Sequence, residues 1–289
     1  MNSNPLISVI VPCYNQGQYL PEALQSVLDQ AYLNWECIII NDGATDNTEE
    51  VALEWVKKDE RFKYFYQPNS GLSAARNKGL SNLAGSYVQF LDADDKIGKG
   101  KFKSSIAFTP AYDLIISNFG IFTDSDKNAV ATAGNLKNDY FNYKAVLTLW
   151  DEEFVIPIHC GLFKASLFNN IRFNEKLKAK EDWLMWVQVF LQNVNVYFLT
   201  DLQAFYRMTG QNMTQQRLHM NSNHILAYEF LYDLIPESEK RSLFMKAMRA
   251  FESKLDESDK LLTKTKLSSS YKLGNFFIRP LRKFFKRSS

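Results

Sequence analysis

The sequence is short of the features that would place it outside the cell or in a membrane. It holds three cysteines in 289 residues, Cys13, Cys37 and Cys160, odd in number and far apart. That argues against a disulfide framework or a zinc site and suits a reducing cytosol, with each thiol a small buried hydrophobe. No uninterrupted apolar stretch approaches the roughly 18–20 residues that span a bilayer. The opening "MNSNPLISVIVPCYN" lacks a basic leader followed by an apolar core and a small-residue cleavage site, so no secretory leader is expected. Internal repeats are absent, and no low-complexity segment is longer than "SSS". What is abundant is apolar: 46% of residues are hydrophobic, with 22 Phe and 14 Tyr. A sizeable core follows, disorder across the body is excluded, and the length fits one large α/β domain or a domain with an appendage.

The net charge of +2 hides an asymmetry. Residues 237–289 carry 14 Lys and Arg against six Asp and Glu, whereas the preceding residues carry 20 against 26. A mildly acidic body with a basic tail does not suit a nucleic-acid binder.

The first hundred residues alternate strand-like and helix-like segments. "LISVIVP", "WECIII", "FKYFYQ" and "SYVQFLD" read as strands. Between them, "YLPEALQSVLDQ" places Leu20, Leu24, Val27 and Leu28 at helical spacing behind Pro21, "NDGATDNTEEVALEWVKK" opens with capping residues, and "LSAARNKGLSNLA" is a third helix. Strands separated by helices of this length imply right-handed βαβ units and a mainly parallel sheet, whose ligands gather beyond the carboxyl ends of the strands. Three of the four strand ends carry suitable polar groups: Tyr14-Asn15, Asn41-Asp42 and Asp92-Ala93-Asp94-Asp95. Beyond residue 100 the pattern loosens, with strands at "YDLIISNFGIFTD" and "NVYFLTDLQAFYRM", a helix at "EDWLMWVQVFLQN", and mostly helix after Arg217.

Each polar signal has a chemical and a structural reading. The carboxylates of "FLDADD" suit a hard divalent cation bridged to a diphosphate, or an Asp-rich helix cap. Asp42 accepts hydrogen bonds only, so it fits the ring N–H of a base, or else an Asx turn, a role that Asp46 also offers. Tyr14 offers a stacking face, or half-buried packing. Arg76 and Asn77 face the strand ends, or solvent. Glu181-Asp182 opens a helix whose N-terminus keeps a carboxylate ionised, or is ordinary first-turn decoration.

The order "SVIVPCYN", "NDGATDNT", "NSGLSAARNKG", "FLDADD" closely resembles the family-2 glycosyltransferases, inverting enzymes with the GT-A fold, over roughly residues 6–210. The resemblance implies an α/β GT-A domain with helices on both faces of the sheet, a nucleotide-sugar donor (most often a UDP-sugar) and a divalent metal, Mg2+ or Mn2+. It places Pro12, Tyr14, Asn15, Asp42, Arg76, Asp92 and Arg207 at the donor. Tyr14 would stack on the uracil that Asp42 binds. Asp94 is implied as principal metal ligand, with Asp92 at the ribose or the metal. The family's E-D-W segment makes Asp182 the catalytic base and Glu181 its support. His159, in a segment resembling the acceptor side, and Trp183 are candidate acceptor contacts. "FYRMTGQNMT" matches the family's Y-R-x-H at Tyr206 and Arg207 but has Thr209 where the histidine stands.

Residues 1–218 are therefore expected to form the transferase domain, with a nucleotide-sugar half to about 98 and an acceptor half to 218. Residues 219–289 form a helical extension ending in a basic amphipathic tail at about 268–289. The last twenty residues hold six Lys and Arg and no acid, with Leu273, Phe276, Phe277, Leu281, Phe284 and Phe285 recurring at three- and four-residue intervals. They suit an anionic membrane surface, or packing on protein. The expected location is the cytoplasm, peripheral to the membrane, and the expected acceptor is a glycan or lipid-linked sugar in cell-surface polysaccharide synthesis. The rival readings are a sugar-phosphate nucleotidyltransferase, for which the glycine-rich basic N-terminal loop is missing, and a degenerate nucleotide-sugar-binding module.

Overall fold

The computed structural model describes residues 4–124, 131–132, 136–209 and 217–268. The basic tail, beyond its first residue, and the segment after Thr209 lie outside the described residues. Met1–Leu234 and Ile235–Ser289 form two compact units.

In the first unit the chain runs β1 (Ile7–Cys13), α1 (Leu20–Leu28), β2 (Trp35–Asp42), α2 (Thr48–Lys58), β3 (Phe62–Gln67), α3 (Leu72–Ser81) and β4 (Tyr87–Phe90). It continues through β5 (Lys96–Ile97), α4 (Lys101–Ile106), β6 (Leu114–Phe122), β7 (Ala131–Thr132), α5 (Tyr143–Leu149), β8 (Gly161–Lys164), α6 (Glu181–Phe190), β9 (Val196–Arg207) and α7 (Arg217–Leu234). The second unit contains α8 (Glu237–Leu267).

One sheet of nine strands organises the first unit, in the order β3-β2-β1-β4-β8-β6-β9-β5, with β7 on β6. The βαβ half is parallel throughout. β1 and β2 are buried along their whole length, which is why they read as continuous β-branched runs instead of alternating ones. Their two faces feed different cores. Ile7, Val9, Val11, Cys37 and Ile39 pack with the buried stripe of α1, while Ile38 and Ile40 meet Ala75 of α3 on the other side. α1 buries Leu20, Ala23, Leu24 and Val27, the i, i+3, i+4, i+7 face that its spacing predicts. All three cysteines are buried and free.

The distal half is not a continuation of the parallel pattern. β8 inserts antiparallel between β4 and β6, β9 runs parallel to β6, and β5 closes the edge antiparallel to β9. β6 slips register at Ser117–Phe119, and a buried lysine braces that slip. Lys101 Nζ, at the start of α4, donates to Ser117 Oγ (2.8 Å) and to the Cys160 carbonyl (2.6 Å), and burial pushes its pKa down to about 8.

α3 lies so close to β1 that a Cβ on Gly79 would collide with Ile10 Cγ2. Gly79→Ala is expected to lower stability by about 1–3 kcal/mol through overpacking, read as a lower urea midpoint at unchanged m-value. No helix among the described residues is long and apolar enough to cross a membrane.

Candidate active site at the strand ends

The carboxyl ends of β1, β2 and β4 and the turns after them share one edge of the sheet. At the β1 end, Tyr14 is 48% exposed and presents an open ring. Asn15, with φ 52°, turns its Oδ1 to accept from the Thr45 backbone and hydroxyl. Asp46 accepts from Thr48 and from the Gly17 amide, so it, not Asp42, ties the start of α2 to the loop after β1. Asp42 is buried and is held by the turn between β3 and α3. Its Oδ1 accepts from Gln67 Nε2 (2.7 Å) and the Ser70 amide (2.9 Å), and its Oδ2 from the Gly71 amide (2.8 Å). Gly71 holds φ 95° to aim that amide, a conformation that only glycine takes without strain.

The turn after β4 concentrates negative charge. Asp95 is buried and fully engaged: Oδ1 accepts from the Arg207 amide, and Oδ2 lies 3.1 Å from His159 Nδ1. Asp92 Oδ1 accepts from Arg76. No ammonium or guanidinium pairs with Asp94 among the described residues. Burial, then the charges of Asp95 and Asp92, push its carboxyl up to about 7. The described residues contain no closed group of three or more metal-ligating side chains. What they offer instead is Asp94 with the second oxygen of Asp92. That donor set fits a cation that takes one or two protein carboxylates and completes its shell with phosphate and water.

Arg76 joins this turn to the far end of the chain. Only 2% exposed, it donates from one terminal nitrogen to Asp92 Oδ1 and from the other to Glu181 Oε1, both at 2.7 Å. Its neighbour Asn77 exchanges hydrogen bonds with both backbone groups of Phe173, at 2.9 and 2.8 Å. Two consecutive residues of α3 thus staple the segment that leads into α6. Immediately before α6, Lys180 sits in the left-handed region at φ 68°, its ammonium held by Asp151. Such a conformation in a lysine persists only where the surroundings impose it. Asp182, half-buried on the first turn of α6, accepts from the Trp183 amide at 2.7 Å. Its ionisation runs opposite to the expectation from the helix terminus alone. Burial, then the adjacent Glu181, push its pKa up to about 7, outweighing Lys180, the Trp183 amide and Arg76.

Three expected contacts lie deeper than the sequence suggested. Arg76, expected beside the nucleotide, is an interior bridge between carboxylates. Arg207, expected to reach a diphosphate, is buried with Nε on the Asp94 carbonyl (2.7 Å) and its terminal nitrogens on Glu22 and Asp124, over the rings of Phe122 and Tyr19. Trp183, expected at the acceptor, is fully buried. Its indole donates to the Val146 carbonyl and its ring meets Tyr228 edge-on. His159 is likewise interior, with no hydrogen-bond partner for Nε2 among the described residues. Pro12 lies within β1, aligned with Ile40 of β2. Glu22 on α1 reads in the sequence as a solvated helix residue, yet it pairs with the buried Arg207. Partial burial raises its pKa, but Arg207 and Lys96 together draw its carboxyl down to about 2.

The chain has extensive likenesses among known proteins. The family described as "Glycosyl transferase family 2" matches residues 8–172. Glycosyltransferase GlyA of Streptococcus pneumoniae is 34% identical over 219 residues, covering 72% of this chain, which in turn spans 31% of that protein's length. TuaG of Bacillus subtilis, an inferred teichuronic acid biosynthesis glycosyltransferase, is 28% identical over 219 residues, covering 75% of this chain and 84% of its own. Among solved structures, S. aureus TarS 1-349 in complex with UDP-GlcNAc superposes with a TM-score of 0.65 at 22% identity, over 85% of this chain and 72% of that one. A mannosyltransferase from Pyrobaculum calidifontis, in complex with GDP-Man and Mn2+, gives 0.61 at 15% identity, over 95% and 84%. At these identities the structural likeness speaks for the fold alone, a GT-A arrangement of mixed sheet and flanking helices.

Proposed function

The chain belongs to glycosyltransferase family 2, and from that membership we propose that it moves a sugar from a UDP-sugar to a hydroxyl of a glycan or lipid-linked acceptor, inverting the anomeric centre. The membership sets the nucleotidyltransferase reading aside. The observation that carries the proposal is the Arg76 bridge. It ties the carboxylate turn after β4 to the first turn of α6, so that a phosphate-facing acid group and a base share one frame.

In this reading Tyr14 stacks on the base, Asp42 reads its ring N–H, and the Asn15 turn shapes the mouth. Asp94 and Asp92 Oδ2 would hold Mg2+ or Mn2+, which when bound supplies Lewis-acid neutralisation of the departing diphosphate. Arg207 and His159 act from behind, fixing the Asp94 carbonyl and the Asp95 carboxylate so that the turn keeps its shape. Asp182 accepts the proton of the acceptor hydroxyl as that oxygen bonds to the anomeric carbon. Attack comes from the face opposite the diphosphate, the bond to the diphosphate breaks, and the nucleotide leaves with its electron pair. Support for the UDP donor comes from the UDP-GlcNAc complex of TarS, and for a polysaccharide acceptor from the described role of TuaG.

A panel of UDP-, GDP- and dTDP-sugars tests the donor, and NMR of the product tests inversion. A retained anomeric configuration would overturn the mechanism. Calorimetry adds a test independent of turnover. UDP binding is expected to strengthen in Mn2+, and Asp94→Ala is expected to abolish that enhancement while leaving metal-free UDP binding in place.

A further inference from the structure

The 31-residue helix α8 is about 46 Å long at 1.5 Å per residue. It exposes a row of large apolar side chains, Phe244, Met248, Phe251, Leu255 and Leu262. A helix left with such a row facing water marks an interaction surface. The steps between them are four, three, four and seven, a 3.5-residue repeat that keeps a narrow seam along one face and winds two helices around each other. With Met248, Leu255 and Leu262 at the a positions and Phe244 and Phe251 at d, the flanks differ in sign. The e side carries Glu252 and Asp259, and the g side carries Lys240 and Lys254.

We infer that α8 pairs with the α8 of a second copy of this chain, as a parallel, in-register coiled coil. The flanks decide both the partner and the direction. A helix lying on an anionic lipid surface carries basic residues beside its apolar face. Here Glu252, Asp256 and Asp259 cluster on one flank of the middle of the seam. In a parallel pair each g residue meets the e residue five positions on in the other copy, which sets Lys254 against Asp259 of the second copy twice by symmetry. An antiparallel pair sets e positions against e positions, where Asp259 has no lysine at g to meet. The Lys254–Asp259 match forms in the parallel direction only.

Sedimentation equilibrium of the full chain is the test. The native sequence is expected to associate. Leu255→Glu, which puts a charge into the seam, weakens association by about tenfold or more without loss of helicity by circular dichroism. Lys254→Asp weakens it less, and adding Asp259→Lys restores it. Ser258→Cys, at a d position, is expected to form an interchain disulfide on mild oxidation, whereas Ser253→Cys, on the opposite face, does not. The three native cysteines are buried and stay out of the reaction. A monomer at all concentrations, insensitivity to Leu255→Glu, or equal crosslinking at both cysteines overturns the inference. So does association of the native chain with phosphatidylserine vesicles that Leu255→Glu abolishes without any change in solution mass.

Discussion

Replacing Asp182 by asparagine is expected to lower kcat by about 10²–10⁴, the usual contribution of a positioned general base, while the KM for the donor changes little. If Asp182 is the base proposed above, kcat/KM should rise with pH through about 7 to a plateau, because a base works only when ionised and the surroundings of Asp182 hold its pKa near that value. The same shift carries a stability signature. A carboxyl whose folded pKa lies above its ordinary value of 3.8 contributes stability that is fully present below about pH 4 and lost as pH rises through about 7. Asp182→Asn carries no such charge. The inactive variant should therefore be more stable than the native protein at pH 8, with the difference closing towards pH 4, read by thermal melts across that range. A variant that is inactive and destabilised at pH 8 would point to a structural role. Turnover undiminished in Asp182→Asn would remove the residue from the mechanism.

Arg76→Met is expected to have the largest effect on stability. The guanidinium separates two carboxylates, on Asp92 and Glu181, and is itself buried. Removing it leaves acidic groups without their partner, which costs about 3–5 kcal/mol for a buried pair. Arg76→Lys should recover only part of this, since one ammonium does not reproduce a planar fork reaching two oxygens on opposite sides. Because Arg76 also lowers the pKa of Asp182, any active fraction of either variant should show its rising pH limb displaced to higher pH. Melting curves and a kcat–pH profile check the two parts separately.

The parallel half of the sheet was legible because β1 and β2 are long, β-branched and buried on both faces, and α1 has a clean apolar stripe. The distal half was less so. β8 is four residues, "GLFK", with a glycine and no β-branched residue, and β5 is two. Lys101, at the start of α4, reads as a solvated cation although it is buried under the sheet. At the site, the strand-end motifs stood out because polar groups behind apolar strands break the local pattern. Their partners did not stand out. Arg76 meets Glu181 105 positions away, and Arg207 meets Glu22 185 positions away. Local sequence carries no sign of which arginine is taken into the interior by a distant acid. The raised pKa of Asp182 is hidden for the same reason. The helix terminus is visible in the sequence, whereas the burial that overrides it is a property of the assembled fold.

The placement of β8 bears on how the protein is made. β4 and β6 stand two places apart in the sheet, with residues 161–164 lodged between them. While the ribosome is still translating that stretch, the early parallel layer has an unpaired rim at β4, a ready template for pairing with another polypeptide. The long-range closure that seals it is slow because distant segments must meet. The nascent chain thus passes through an interval in which a chaperone has most to protect, and that interval ends when β8 slides into its slot.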